Sequence, residues 1–199
     1  MRILETARLS LREMTEEDIP YLLQIFTDPQ AMAYYSSTKN EAEARTWVRW
    51  VRSCYEKSGI GLWIVEETES SRFIGQVGLM PQVIAGRDEV EIGYSLVRHE
   101  WNKGYATEAA IGCRDYGFHH LGLTRLISII DPRHTKSRNV ALKVGMEWEK
   151  QIIKWEKNVD IYAISVSRQH DIERYGPFWK EDGAQDILQL KRAHKNKSW

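Results

Sequence analysis

The segment EVEIGYSL at 89–96 reads as a strand and YATEAAIGCRDYGFH at 105–119 as a helix, and only a short turn carrying Asn102, Lys103 and Gly104 completes the connection. A strand that feeds a helix through a short turn lays that helix back on its own sheet, so the chain is constrained to a layered α/β architecture. The first backbone N–H groups of such a helix have no intrahelical partners and point at the turn, where anions bind. Gly104 permits φ > 0 or close backbone approach, and Ala106 and Ala109 keep the first turn free of bulk. A charge–dipole contact contributes about 0.3–1 kcal/mol, whereas a hydrogen bond to a charged group contributes about 1.5–3 kcal/mol. Several converging amides therefore outweigh the single Lys103. The spacing is neither that of a Walker A loop nor G-x-G-x-x-G, which argues against ATP and dinucleotides.

The rest of the chain supplies the layers. Leu9 and Leu11 alternate with Arg8, Ser10 and Arg12, which predicts one strand over 3–13. Thr15 followed by three acids reads as a helix start, with Ile19, Leu22, Leu23 and Phe26 at helical spacing and a stop near Pro29. A loop over 32–40 leads to a second helix over 41–57. Strands are predicted over 61–67 and 73–79, with Gly75 and Gly78 marking either a ligand's approach or close packing. A loop is predicted over 81–88, a buried strand over 125–130, and a short helix over 136–144 stopped by Gly145. Two strands follow, over 146–153 and 159–166, joined by a turn at Lys157 and Asn158. Beyond 169 the pattern weakens, and 169–199 reads as a partly helical or frayed extension with a basic end.

The 199 residues suit one domain of 1–168 with that extension, and 42% apolar with 28% charged residues is the balance of an ordinary globular protein. Lys plus Arg equals Asp plus Glu at 28 each, so nothing in the overall charge points to a nucleic-acid partner. With no apolar run of signal-peptide or membrane-span length, a cytoplasmic location and no membrane contact are expected. Cys54 and Cys113 fall in predicted helices and read as buried free thiols, and no Cys/His spacing suggests a metal.

The run WNKGYATEA resembles the pyrophosphate-binding motif of the GNAT acetyltransferases, (Gln or Arg)-x-x-Gly-x-(Gly or Ala). Its form WGKGYATEA is typical of the RimJ/RimL-like branch, named for enzymes that acetylate ribosomal-protein N-termini. ETARLSLREMTEEDIPYLL, EVEIGYSL, DPRHTKSRNVALKVGM and VDIYAISV follow the family's order, so the resemblance spans about residues 2–168. Two departures are Asn102, where the branch has Gly, and His134, where it has Asn. The resemblance implies a single GNAT α/β fold, a mixed twisted sheet of about seven strands flanked by helices, with acetyl-CoA as cofactor and an amine acceptor, peptide or small molecule. A monomer or homodimer is expected. By the same resemblance Trp101, Asn102, Lys103, Gly104, Tyr105, Ala106 and Thr107 hold the cofactor's pyrophosphate, and backbone at Tyr94, Ser95 and Leu96 pairs with its pantetheine arm. His134 and Ser137 stand where the family holds the pantetheine and adenine end. On its own reading, as a lone loop histidine, His134 is a surface residue.

Acetyl transfer to an amine needs a neutral amine, a positioned carbonyl and stabilised oxyanion charge, and no covalent nucleophile. An α-amine near 7.7–8.0 is roughly a tenth neutral at pH 7, whereas a lysine amine near 10.4 needs about 3.5 kcal/mol more help. By resemblance Glu91 is the general base. Read as a strand residue alone it could equally face outward in an ion pair, and alternation leaves open whether Glu91, or Glu89 and Val90, border the cleft. Tyr34 and Tyr35, in the loop between the first two helices, are substrate contacts by resemblance and packing groups on their own reading. The last helix offers no tyrosine as general acid, which leaves the acid unassigned. An α-amine of a protein or peptide is the expected acceptor. A small amine such as an amino acid, polyamine or aminoglycoside is the alternative, and a non-catalytic acyl-CoA-binding module is the rival from another class.

Overall fold

The computed structural model describes residues 1–166, so the expectations for 169–199 and the last residues of the 1–168 domain lie outside the described residues. The elements are β1 (Arg2–Glu5), β2 (Leu9–Arg12), α1 (Ile19–Phe26), α2 (Glu41–Ser58), β3 (Leu62–Glu67), β4 (Phe73–Ile84), β5 (Arg87–Leu96), α3 (Tyr105–Asp115), β6 (Arg125–Ile130), α4 (Thr135–Val144), β7 (Glu147–Lys154) and β8 (Lys157–Ser165). They build one eight-stranded sheet in the order β1-β2-β3-β4-β5-β6-β8-β7. The β5–β6 pair is parallel and every other pair is antiparallel. Among the described residues no helix is long and apolar enough to cross a membrane.

Alternation sends the buried run in β3 to two cores. Trp63 and Val65 join Leu9, Leu11, Val77, Leu79 and Ile92 beneath Ala109, Ala110 and Cys113 of α3 and Ala141 and Val144 of α4. Leu62 and Ile64 join Met80 beneath Leu22, Ile25 and Phe26 of α1 and Val48 and Val51 of α2. Strands covered on both faces read as continuous apolar runs, as 62–65 does. Cys54 and Cys113 are buried and free, as expected.

Three boundaries differ from expectation. The strand expected over 3–13 is a reversal, β1 to β2, which accounts for the eighth strand. Thr6 makes the turn by donating its N–H to the Leu9 carbonyl at 2.8 Å and accepting the Leu9 N–H on Oγ1 at 3.1 Å. The loop expected over 81–88 is instead a hairpin, whose β4 and β5 are paired down to Ile84↔Arg87 around Ala85 and Gly86, at φ 49° and 77°. Pro81 is tolerated because β3 stops at Leu62↔Gly78, so its missing N–H falls where there is no neighbouring strand. The last hairpin turns at Trp155 and Glu156, φ 52° and 60°, two residues before the expected turn. The glycines of β4 serve packing: a Cβ on Gly75 would collide with the Ser95 carbonyl, and one on Gly78 with the Gly61 carbonyl.

Candidate active site

The sheet parts between β5 and β6. Their only register pair is Glu91↔Ile127, whereas β5 stays paired with β4 through Leu96. On the open edge of β5 the Ile92 carbonyl accepts from Ser128 Oγ and the Leu96 carbonyl accepts from Trp101 Nε1, both at 2.9 Å. Strand alternation puts the Tyr94 amide and carbonyl on that same edge, between these two anchored points. An extended ligand can pair there as an added strand.

A cleft of ≈390 Å³ leads from this gap to the N-terminus of α3. It is lined by Tyr94, Ser95, Leu96, Trp101, Asn102, Gly104, Tyr105, Ala106, Thr107, His134 and Ser137, so most of the expected cofactor residues converge. The first intrahelical bond of α3 is Glu108 N–H to the Gly104 carbonyl at 3.0 Å, so the amides of Tyr105, Ala106 and Thr107 precede the ladder. Gly104 is left-handed at φ 86° and Asn102 at φ 63°. Asn is the side chain that best tolerates this region after Gly, so the departure at 102 preserves the turn. Converging amides beside a cleft with a free strand edge fit a diphosphate joined to an extended arm, which are the features of acetyl-CoA.

Lys103 does not line the cleft. Its Nζ donates to Glu100 Oε2 at 3.1 Å, and Glu100 is buried at 1% exposure among Arg72, His99 and Lys103. Its carbonyl instead accepts from Arg8 Nη1 at 3.2 Å. Arg8 lies over the Tyr105 ring at 4.5 Å and pairs with Glu108 at 2.6 Å, so the β1–β2 turn braces the anion turn from outside. Sequence reasoning missed this brace, because residues 8 and 108 carry no spacing signal. It also missed Lys136, Asn139, Val140 and Lys143 in the cleft wall, although their 3-4-7 spacing on α4 was a readable signal.

Glu91 lies at the parting point, and its side chain leaves the sheet on the face opposite Ile92 and Tyr94. It accepts from Gln82 Nε2 at 2.7 Å. Burial pushes its carboxyl up to about 7, against the Gln82 donor, the Ile129 amide and the charge of Lys154. Although the side chain keeps a partial opening to solvent, protein surrounds the carboxyl closely enough for this desolvation to dominate. Among the described residues Glu91 makes no ion pair within 4 Å; Glu89 makes one, to Arg125 at 3.0 Å.

Tyr35 faces this carboxylate: it is 51% exposed and lines the cleft, and the buried setting of its hydroxyl together with Glu91 pushes it up to about 12. Tyr34 follows its packing reading. Its ring stacks on His134 at 4.0 Å, its hydroxyl reaches the Arg133 carbonyl at 3.4 Å, and its carbonyl accepts from Lys157 Nζ at 2.6 Å. His134 is thereby fixed as part of a wall, with burial lowering its pKa. Tyr94 crosses to the first turn of α4, where its hydroxyl donates to the Ser137 carbonyl at 2.9 Å and accepts from Ser137 Oγ at 3.0 Å. Burial raises this phenol well above its ordinary value. Among the described residues no group of His, Cys, Asp or Glu could hold a metal.

Comparison with known proteins agrees with this geometry. An acetyltransferase (GNAT) domain matches residues 8–147. The chain is 40% identical over 160 residues to the uncharacterized protein YkkB of Bacillus subtilis, covering 80% of this chain and 93% of that one. It is 31% identical over 150 residues to the uncharacterized N-acetyltransferase YoaA of the same organism, covering 74% and 84%. Among solved structures, RimL, a ribosomal L7/L12 alpha-N-protein acetyltransferase in complex with coenzyme A, superposes with a TM-score of 0.71 over 83% of this chain and 98% of its own. At 16% identity that likeness speaks for the fold alone. The domain match, the relatives and the parted sheet agree: the chain belongs to the GNAT acetyltransferases, enzymes that use acetyl-CoA as acetyl donor.

Proposed function

We propose that this enzyme acetylates the α-amine of a protein or peptide N-terminus, with Glu91 as general base. The carrying observation is the Glu91 carboxyl at about 7, at the one point where β5 and β6 part. A base is most effective when its pKa lies near the working pH, and the higher the pKa of the amine the more free energy its deprotonation by such a base costs. An α-amine at about 7.7–8.0 lies within about one unit of such a base, whereas a lysine amine at about 10.4 lies more than three away. Gln82 orients the carboxylate, and Tyr35 sits on the side from which an amine reaches it.

The surroundings support the same acceptor. Lys154, whose charge acts on Glu91, bonds the Val83 carbonyl at 3.2 Å, and Lys157 and Arg133 stand on the neighbouring wall about Asp131. Asp131 offsets Arg133 and Lys157 in part, so it is chiefly Lys154 that disfavours polycationic polyamines and aminoglycosides. Val83, Ile153 and Trp155 are each more than half exposed around Lys154, and apolar rims of this kind suit the side chains that follow a peptide's terminal amine.

Acetyl-CoA, when bound, supplies an activated thioester. The amides at the α3 N-terminus hold its diphosphate, and the open edge of β5 at Tyr94 orients its arm and offers an N–H to developing oxyanion charge. Burial keeps the proton on Tyr94 Oη, so this hydroxyl can offer the departing thiolate a hydrogen bond but not a proton, and a thiol of pKa about 8.5 leaves without an acid. The RimJ/RimL-like resemblance and a cytoplasmic setting accord with ribosomal or other nascent N-termini.

The test is thiol release from acetyl-CoA with peptides bearing free or blocked N-termini, amino acids, polyamines and aminoglycosides, with mass mapping of the product. Acetylation at the α-amine of free peptides, abolished by blocking, is expected; acetylation confined to polyamines or lysine side chains would overturn the acceptor assignment.

A further inference from the structure

The cleft holds more positive charge than a diphosphate at the α3 N-terminus uses. Lys136, Asn139 and Lys143 share one face of α4 and all line the cleft. Most cations near the site are compensated: Arg8 by Glu108, Lys103 by Glu100 and Arg133 by Asp131. Lys136 and Lys143 pair with no carboxylate among the described residues. Lys136 Nζ lies 4.5 Å from the centroid of the Trp101 ring, which fixes it beside the anion turn. Lys143 stands seven residues further along the same face of α4, about 10 Å down the axis from Lys136.

We propose that Lys143, with Asn139 beside it, forms a second anion subsite that takes the phosphomonoester on the ribose of the donor nucleotide, while Lys136 serves the diphosphate. The enzyme then selects a 3′-phosphorylated donor over its dephosphorylated form. This rests on the cleft being the acetyl-CoA site. Lys143 also lies in the last turn of α4, where a cation offsets the helix dipole. That role alone would alter melting without altering the choice between ligands.

The test is calorimetric affinity of the full chain for coenzyme A and for 3′-dephospho-coenzyme A, at low and high salt. One charge-assisted contact predicts about 10- to 100-fold tighter binding of coenzyme A, shrinking as salt rises. Lys143→Gln is expected to abolish this ratio and leave dephospho-coenzyme A affinity unchanged; Lys136→Gln is expected to weaken both ligands alike and keep the ratio. Equal binding of the two ligands by the parent enzyme, or an equal loss of both in Lys143→Gln, would overturn the subsite. Failure of the parent to bind either ligand would instead overturn the cleft assignment beneath it.

Discussion

Glu91 is the residue where position and chemistry meet. Its carboxyl at about 7 must be ionised to accept a proton, so kcat/KM should rise with pH through a limb near that value. Glu91→Gln is expected to lower turnover about 10²–10⁴-fold and remove the limb near 7, leaving only that of the free amine at about 7.7–8.0, while coenzyme A affinity holds; a limb still near 7 in the variant would exclude Glu91 as the base. The same shift makes the base a stability cost. Between the ordinary carboxylate value and about 7 the folded state holds more protons than the unfolded state, so stability falls as pH rises across that window. Glu91→Gln should therefore be more stable than the parent at pH 8 by about 1–3 kcal/mol, and no more stable at pH 4, as urea unfolding would show. Asn102 carries a backbone constraint instead. At φ 63° a β-branched side chain is strained, so Asn102→Val should weaken coenzyme A binding whereas Asn102→Gly should not.

Among the elements, the helices and the central strands were legible because burial imposes a period. α2 and β6 lie within a residue of the ranges expected from apolar spacing. Turns whose residues carry no turn signal were not legible. Ala85 and Trp155 adopt left-handed backbone although neither favours it, because pairing of the flanking strands fixes the register on both sides. Two-residue hairpins of this form favour Asn-Gly, so Ala85→Asn should stabilise the fold by about 1 kcal/mol in urea unfolding, with catalysis unchanged. The β1–β2 reversal rests on a distant partner, since Glu108 accepts from Thr6 Oγ1 at 2.7 Å and from the Arg8 N–H at 2.8 Å. Glu108→Gln should loosen the anion turn through Arg8 and raise the coenzyme A dissociation constant more than it lowers the melting temperature.

For the whole molecule, a ligand that binds only the folded state stabilises it by about 2.7 kcal/mol at a hundredfold excess over its dissociation constant. Coenzyme A should therefore raise the melting temperature by roughly 5–10 °C, a shift that Gly104→Val should abolish. The sequence by itself determined the layering and the anion turn, because apolar periods and a strand-turn-helix connection act over short stretches of chain. The resemblance offered Glu91 as the candidate base. Only the tertiary structure decided that Glu91 stands at the parting of β5 and β6 and that Lys103 faces Glu100. It also joined the Tyr94 hydroxyl to Ser137, and Arg8 to Glu108, across 100 residues. Those facts depend on desolvation and on partners distant in the chain, and neither has a local signature in the order of residues.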